Sequence, residues 1–157
     1  MNAYRSTATV CLLVFLAAVA VVDLRTRRIP NLLTVPAALV GLLMNLSCAG
    51  APGALACGAG LLIGLAAFLP FYLAGGFGAG DVKAMAVVGA FLGPKGVLLA
   101  AAGTFGVGGL GALLVVGALR WQSVRTGRTW RPVDARRQHL PYGLAIACGT
   151  ALTLPWS

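Results

Sequence analysis

Residues 75–83 read Gly-Gly-Phe-Gly-Ala-Gly-Asp-Val-Lys, and this stretch decides how the chain is organised. It is a glycine-rich break between two long apolar runs, and it contains Asp81, one of only three acidic residues among 157. A second acid, Asp23, lies at the end of the first apolar run. What the chain can do chemically depends on whether its fold brings these two carboxyls together.

The composition is that of an integral membrane protein. Hydrophobic residues make up 59% of the sequence and charged residues 10%, and the mean hydropathy is +0.92. A soluble domain carries about 25% charged residues, so this chain lacks the polar groups needed to cover a globule in water. We expect an all-α, polytopic membrane fold, because a helix satisfies its own backbone hydrogen bonds in lipid.

The apolar runs predict six transmembrane helices in a single membrane domain that covers residues 1–157. The predicted spans are approximately residues 6–22, 32–49, 53–73, 77–92, 97–119 and 140–156. Gly-Ala-Pro-Gly at 50–53 and Gly-Pro-Lys-Gly at 93–96 are predicted turns. Residues 120–139 are predicted to form a basic cytoplasmic loop.

The charge distribution sets the expected topology. The chain has twelve Lys and Arg against three acids, a net charge of +9. Such an excess is typical of nucleic-acid binders, but in a membrane protein Lys and Arg accumulate in cytoplasmic loops. We therefore expect a lipid bilayer and no nucleic acid as partner. Six spans with the N-terminus outside gather most basic residues on the inner face: Arg25, Arg27, Arg28, Lys83, Arg120, Arg125, Arg128, Arg131, Arg136 and Arg137.

Two crossings separate Asp23 from Asp81 in this topology. Asp23 follows the first predicted span and Asp81 follows the third. Both carboxyls are therefore expected at the cytoplasmic face, however the later segments divide.

The first apolar run also resembles a signal peptide. Arg5 precedes an apolar segment that contains Ala18-Val19-Ala20, the pattern of a basic region, a hydrophobic region and a cleavage site. We expect the run to be retained as a span, because further spans follow it.

The four cysteines give no sign of a metal or redox site. Cys11, Cys48, Cys57 and Cys148 all lie in apolar runs, and none forms a C-x-x-C pair. We expect them to be buried packing residues. No metal or other cofactor is expected.

Two carboxyls at one membrane face predict hydrolysis. An ionisable residue at a membrane boundary needs a partner or water and is a functional candidate. Two adjacent carboxyls share a proton, because they do not easily ionise together. The ionised one then takes a proton from water while the protonated one hydrogen-bonds the scissile carbonyl, as in aspartic proteases. The glycines before Asp81 leave room for an extended peptide.

Simpler interpretations exist for each of these residues. Asp23 pairs with Arg27 if the helix continues, a contact that contributes at most about 1 kcal/mol. Asp81 caps or begins the fourth helix, and Asn31 caps the second. Lys83 is a flank residue that obeys the positive-inside rule, or it tunes the carboxyl pair or holds substrate. Asp134 is a solvated loop charge.

Two other functions remain open at the level of the residues. In a small transporter, Asp23 and Asp81 would be proton or cation sites between helices, although such sites usually lie near the membrane midplane. In a non-catalytic assembly subunit, the carboxyls would have no chemical role. His139 has no partner identifiable from sequence, and the arginines of residues 120–139 are expected to contact anionic lipid head groups.

Three motifs in order resemble the type IV prepilin peptidases. The first is Asp23 followed by Ile29-Pro30-Asn31. The second is the G-x-G-D motif with its Val-Lys pair at residues 78–83, in which Gly78 and Gly80 precede Asp81 and Lys83 follows it. The third is Leu-Pro-Tyr-Gly-Leu-Ala-Ile-Ala at 140–147, similar to the opening of the family's last helix. The match therefore runs from the first span to the last.

The resemblance implies a membrane aspartic endopeptidase of the bacterial inner membrane, acting at the cytoplasmic face. Asp23 and Asp81 would be its catalytic carboxylates, and Gly78, Gly80, Lys83 and residues 29–31 would support them. The substrates would be prepilin or pseudopilin precursors, cut between a short basic leader and the hydrophobic helix of the mature pilin. No metal is required.

The chain departs from the long members of that family. Those members carry an N-terminal region with paired C-x-x-C motifs and methylate the new pilin N-terminus. This chain has no C-x-x-C and begins close to its first span. It resembles the short form associated with tight-adherence (Flp-type) pili, and we do not expect N-methyltransferase activity.

Overall fold

The computed structural model describes residues 2–26, 29–126 and 142–154, which are helical apart from short connections. Among these residues there are four helices: α1 (Asn2–Thr26), α2 (Asn31–Leu73), α3 (Ala79–Thr126) and α4 (Tyr142–Thr153). The all-α expectation is confirmed for these residues.

Two of the helices are sharply bent, each at a single glycine. Gly50 in α2 has φ 60° and ψ −141°, and Gly93 in α3 has φ 70° and ψ −173°. Glycine adopts positive φ without the steric cost that a side chain brings. Pro52 and Pro94 follow in the first turn after each bend, where a missing N–H breaks no helical hydrogen bond. Each of these helices therefore consists of a first limb and a second limb.

The second limb of α2 runs antiparallel to the first limb of α3. Gly60 lies against Gly89, and Gly64 lies against Met85. Residue numbers therefore increase along one helix in the direction in which they decrease along the other. Glycines at such crossings let two helix backbones approach closely, which favours helix association in lipid.

The first limb of α2 runs parallel to the first limb of α3. Asn31 accepts a hydrogen bond from Lys83, and further along Asn45 donates one of 3.0 Å to the carbonyl of Ala90. The two limbs of α2 therefore point in opposite directions, and the bend at Gly50 is a reversal of the chain.

Three helices are long and apolar enough to cross a membrane among the residues described: Ser6–Thr26, Asn31–Leu73 and Ala79–Gly111. A straight helix of 43 residues would measure about 65 Å, roughly twice the hydrocarbon thickness of a bilayer. The bends at Gly50 and Gly93 lie where the sequence predicts turns. The count of six spans and the outside N-terminus stay predictions.

The first limb of α3 forms the centre of the bundle. Nearly every side chain from Val82 to Phe91 is buried. Large apolar side chains point outward instead, with Leu32 87%, Leu55 74% and Leu113 71% exposed. Outward leucines are expected where the surrounding solvent is lipid. The helix that begins at the G-x-G-D motif is therefore enclosed by the others.

Several local predictions need correction. Residues 120–126 continue α3, although the sequence analysis assigned them to a loop. This segment, Arg-Trp-Gln-Ser-Val-Arg-Thr, contains neither glycine nor proline. Among the cysteines, Cys57 is buried and Cys11 half-buried, but Cys48 and Cys148 are exposed. The prediction of four buried cysteines was wrong for those two, because apolarity does not separate a core face from a lipid face.

Candidate active site

Asp81 is the third residue of α3, and its carboxyl is fixed at the start of that helix. Its Oδ2 atom accepts the N–H of Gly78 at 3.0 Å, and its own N–H donates to the Gly78 carbonyl at 3.1 Å. This reciprocal pair satisfies an N–H that a helix start leaves without a helical partner. Asp81 is only 7% exposed. The interpretation of Asp81 as a first-turn acid is confirmed as its structural role.

Asp23 lies in the last turn of α1 and is half-buried. Its Oδ2 atom accepts the N–H of Gly143 at 2.9 Å, a contact across 120 residues of sequence. A negative charge is disfavoured at the C-terminal end of its own helix, but it is stabilised by the N-terminal end of another. Gly143 is the second residue of α4, so the start of α4 supplies that stabilisation.

The two carboxyls lie at the same end of the bundle, although the whole of α2 separates them in sequence. Ile29, six residues after Asp23, packs against Gly80, the residue before Asp81. Both use Oδ2 to accept a glycine N–H at the start of a helix. The two acids therefore form one site, with Asp81 enclosed and Asp23 more open.

Gly143 is a site residue that the sequence analysis did not single out. A Cβ atom at this position would lie 2.8 Å from both Cβ and Oδ2 of Asp23, closer than real Cβ contacts. Only a residue without a side chain lets the backbone of α4 reach this carboxyl. The sequence carries a signal for this role in the Pro-Tyr-Gly motif at 141–143, which also carries the family resemblance.

Gly80 and Ile29 join the segment after α1 to the start of α3. A Cβ on Gly80 would lie 2.9 Å from the Cβ of Ile29, and Ile29 is 8% exposed. The two glycines of the motif thus have different roles: Gly78 donates a hydrogen bond to Asp81, whereas Gly80 makes room for Ile29. Both hold the first turn of α3 in place.

Asn31 does not cap α2, contrary to the sequence-based expectation. The residue before the helix is Pro30, with φ −73° and ψ 148° and no side-chain hydrogen bond to the helix start. Asn31 is already the first helical residue, so its side chain points outward. Its Oδ1 atom accepts a hydrogen bond of 2.8 Å from Nζ of Lys83, which links the start of α2 to the first limb of α3.

Phenylalanine rings anchor the glycine-rich break. The Phe77 ring lies 5.1 Å from Phe68, 5.6 Å from Phe71 and 6.2 Å from Phe105, measured between centroids. Phe68 is fully buried. Gly75 turns the chain with φ 76°. The Phe77 ring then packs against the other phenylalanine rings, which fixes the position of the adjacent Gly78 beside Asp81.

The other charged or titratable residues discussed from sequence are not part of the described site. Arg27, Asp134 and His139 lie outside the described residues. Among the parts of the chain that the structure describes, no three His, Cys, Asp or Glu side chains cluster in a way that would hold a metal ion. The described site consists of two carboxyls and backbone donors.

The fold and this site define a class: an all-helical membrane protein with two carboxyls held at helix starts at one end of its bundle. A family model described as the type IV leader peptidase family matches residues 10–116. The chain belongs to that family, whose matched region includes both Asp23 and Asp81. No curated protein and no solved structure gives a match. Family membership indicates a prepilin-type peptidase activity.

Proposed function

We propose that this protein is an aspartic endopeptidase that removes the short basic leader from type IV prepilins of the Flp or tight-adherence kind. One observation carries the proposal: Asp23 and Asp81, far apart in sequence, lie at the same end of the bundle, and a glycine N–H at a helix start binds Oδ2 of each. The family match supports a peptidase, and the paired carboxyls support the aspartic type.

The proposed reaction needs one proton shared between the two carboxyls. The ionised carboxylate takes a proton from water as the water oxygen attacks the scissile carbonyl carbon, and the protonated carboxyl gives its proton to the carbonyl oxygen. When the C–N bond breaks, the carboxyl that took the water proton passes it to the leaving nitrogen, and a hydroxyl of the tetrahedral intermediate returns its proton to the other carboxylate. The pair then again holds one proton.

The glycine N–H groups serve this reaction by orientation. Gly78 and Gly143 each bind Oδ2 of one carboxyl, so neither side chain has to be ordered when the substrate arrives. Positioning of this kind supplies a large part of catalytic rate enhancement. A Cβ on Gly75 would meet no atom within 4 Å, so the glycine-rich break leaves backbone space before Asp81 for an extended peptide.

We place this site at the cytoplasmic face of the bacterial inner membrane, in a six-span topology with the N-terminus outside. The chain reversal at Gly50 supports this topology. After the bend at Gly93, the second limb of α3 returns toward the start of that helix, because the Phe105 ring lies 6.2 Å from Phe77 between centroids. Limbs that follow one another in the chain therefore cross in opposite directions. The basic residues would then gather at the end of the bundle that carries Asp23 and Asp81, as the positive-inside rule requires.

The decisive test follows a precursor by mass. The chain is co-expressed in membranes with a candidate prepilin, beside the single variants Asp23→Asn and Asp81→Asn. Each variant should slow cleavage by at least about 100-fold, because it removes a group that transfers a proton. Asp134→Asn makes the same chemical change at the third acid and should cleave normally. The product mass also reports whether the new N-terminus is methylated.

Two outcomes would reject the proposal. Normal cleavage by either the Asp23→Asn or the Asp81→Asn variant, at normal membrane insertion, would exclude the carboxyl pair as the catalyst. If the intact chain shortens none of several prepilins but carries protons or cations in proteoliposomes, the transporter interpretation replaces the peptidase.

A further inference from the structure

An apolar groove of about 520 Å³ lies between the two limbs of α2 and the first limb of α3. Its inner wall includes Leu42, Cys57 and Leu61, while its mouth carries Asn31 and Lys83. Ligand pockets of this size are typically apolar with a few placed polar groups. The groove therefore has an apolar interior, which we call its body, and a polar mouth.

The groove lies on the other side of α3 from the carboxyl pair. Lys83 follows Asp81 by two residues, which is about 200° around an α-helix. The groove is thus separated from the candidate active site by the thickness of one helix. An occupant of the groove would not contact Asp81.

The mouth presents hydrogen-bond donors and positive charge. An ammonium group has three donors, and Lys83 uses one of them to reach Oδ1 of Asn31. With Oδ1 occupied, the NH₂ group of Asn31 adds two more donors. Asn31 is also the first residue of α2, so the positive end of that helix faces the mouth. This combination favours an anionic oxygen group such as a phosphate.

The body of the groove suits a hydrocarbon chain. From Asn31 to Leu42 the groove follows eleven helical steps, about 16 Å at 1.5 Å per residue. Val35 and Leu39 line it and are 56% and 54% exposed, so the groove opens sideways toward the surroundings of the bundle. A chain can enter from the bilayer without passing through water.

We propose that this groove binds one anionic phospholipid, with an acyl chain along α2 and the phosphate on Lys83 and Asn31. The mouth lies at the end of the bundle that carries Asp81, the end our topology assigns to the cytoplasmic face. Anionic head groups attract basic residues there. This site is distinct from the loop arginines, because it combines a placed cation with a shaped apolar cavity.

Two glycines provide a matched pair of variants for the test. Gly58 lines the groove and Gly106 does not; both are exposed and helical, and a Cβ added to either meets no atom within 4 Å. Gly58→Phe should fill the groove without a clash inside the protein, and Gly106→Phe makes the same change elsewhere. Phenylalanine is a better helix former than glycine, so neither variant should unfold.

The measurement is native mass spectrometry of the purified full-length chain, with phosphatidylglycerol and phosphatidylcholine of identical acyl chains offered in turn. We expect one retained phosphatidylglycerol on the wild type and on Gly106→Phe. Gly58→Phe and Lys83→Gln should each weaken retention by about tenfold. Lipid retention is measured without peptidase activity, so failure of the lipid proposal can be distinguished from failure of the proposed function.

Three results would overturn the lipid site. The first is equal retention of both lipids by the wild type, which would show that the head group is not recognised. The second is equal retention by Gly58→Phe and Gly106→Phe. The third is a photo-reactive residue at Leu39, inside the groove, that captures a co-expressed prepilin rather than phospholipid, which would make the groove a substrate surface.

Discussion

Two glycine N–H groups bind the two carboxyls of this protein, and the two hydrogen bonds have different origins. Gly78 lies directly before α3 and donates to a residue three positions later, a contact that local sequence dictates. Gly143 donates to Asp23 across the bundle, a contact that only helix packing creates. The site thus joins a local capping interaction to a long-range one.

At this scale we predict that Gly143→Ala inactivates the protein without unfolding it. The added methyl group would overlap the Asp23 side chain, so the carboxyl must move. A displacement of about 1 Å can cost roughly 100-fold in rate, and we expect a loss of that order in kcat for prepilin cleavage.

The control for this change is Gly109→Ala, because a Cβ on Gly109 meets no atom within 4 Å. It should cleave at the wild-type rate. Wild-type kcat for Gly143→Ala would mean that the bond between Gly143 and Asp23 does not orient a reacting carboxyl.

At the scale of elements, the helix that carries Asp81 is held by close backbone contacts. Gly60 and Gly89 cross so tightly that a methyl group on either would overlap the backbone of the other. Asn45 adds a hydrogen bond from the first limb of α2 to the Ala90 carbonyl. Lipid offers no hydrophobic driving force between helices, so packing and such bonds must supply the stability.

We therefore predict that Gly89→Ala destabilises the bundle. Overpacking of this kind costs about 1–3 kcal/mol, because the second limb of α2 has to move away from α3. The measurement is the thermal unfolding midpoint in detergent, which should fall clearly below that of the wild type.

Gly58→Ala serves as the comparison, since Gly58 stands two residues from Gly60 but faces open space. It should unfold at the wild-type midpoint or slightly above it, because alanine is the better helix former. Equal midpoints for Gly89→Ala and Gly58→Ala would show that the glycine crossing does not limit stability.

For the whole molecule, the chain reversals place residues near Gly50 and residues near the glycine-rich break at opposite ends of the bundle. Cys48 is exposed and lies two residues before Gly50. Ala74 is exposed and directly follows α2. The proposed topology assigns Cys48 to the outer side of the membrane and Ala74 to the cytoplasmic side.

Thiol labelling tests this assignment. In a chain whose other cysteines are replaced by alanine, Cys48 should react with a membrane-impermeant maleimide in intact spheroplasts. A cysteine at Ala74, with Cys48 also replaced, should react only after permeabilisation. Labelling of both positions from the same side would exclude the topology, whatever the peptidase result.

Much of the fold and site could be predicted from sequence, because the signals concerned are local. Apolar composition indicated a helical membrane protein, and the glycine-proline turns at 50–53 and 93–96 indicated where α2 and α3 bend. The glycine-rich break determined that Asp81 begins a helix. Since two predicted crossings lie between Asp23 and Asp81, their presence at one end was also predictable, as were the motifs that identify the family.

Only the tertiary structure decided which faces meet. It alone reveals that Gly143 binds Asp23, that Asn31 binds Lys83 instead of capping α2, that Cys48 and Cys148 face outward, and that a groove lies beside α3. The physical reason is that these helices are apolar on every side, so hydrophobic periodicity does not mark an inner face. Close contacts between small residues choose the packing instead, and those contacts join positions that are distant in sequence.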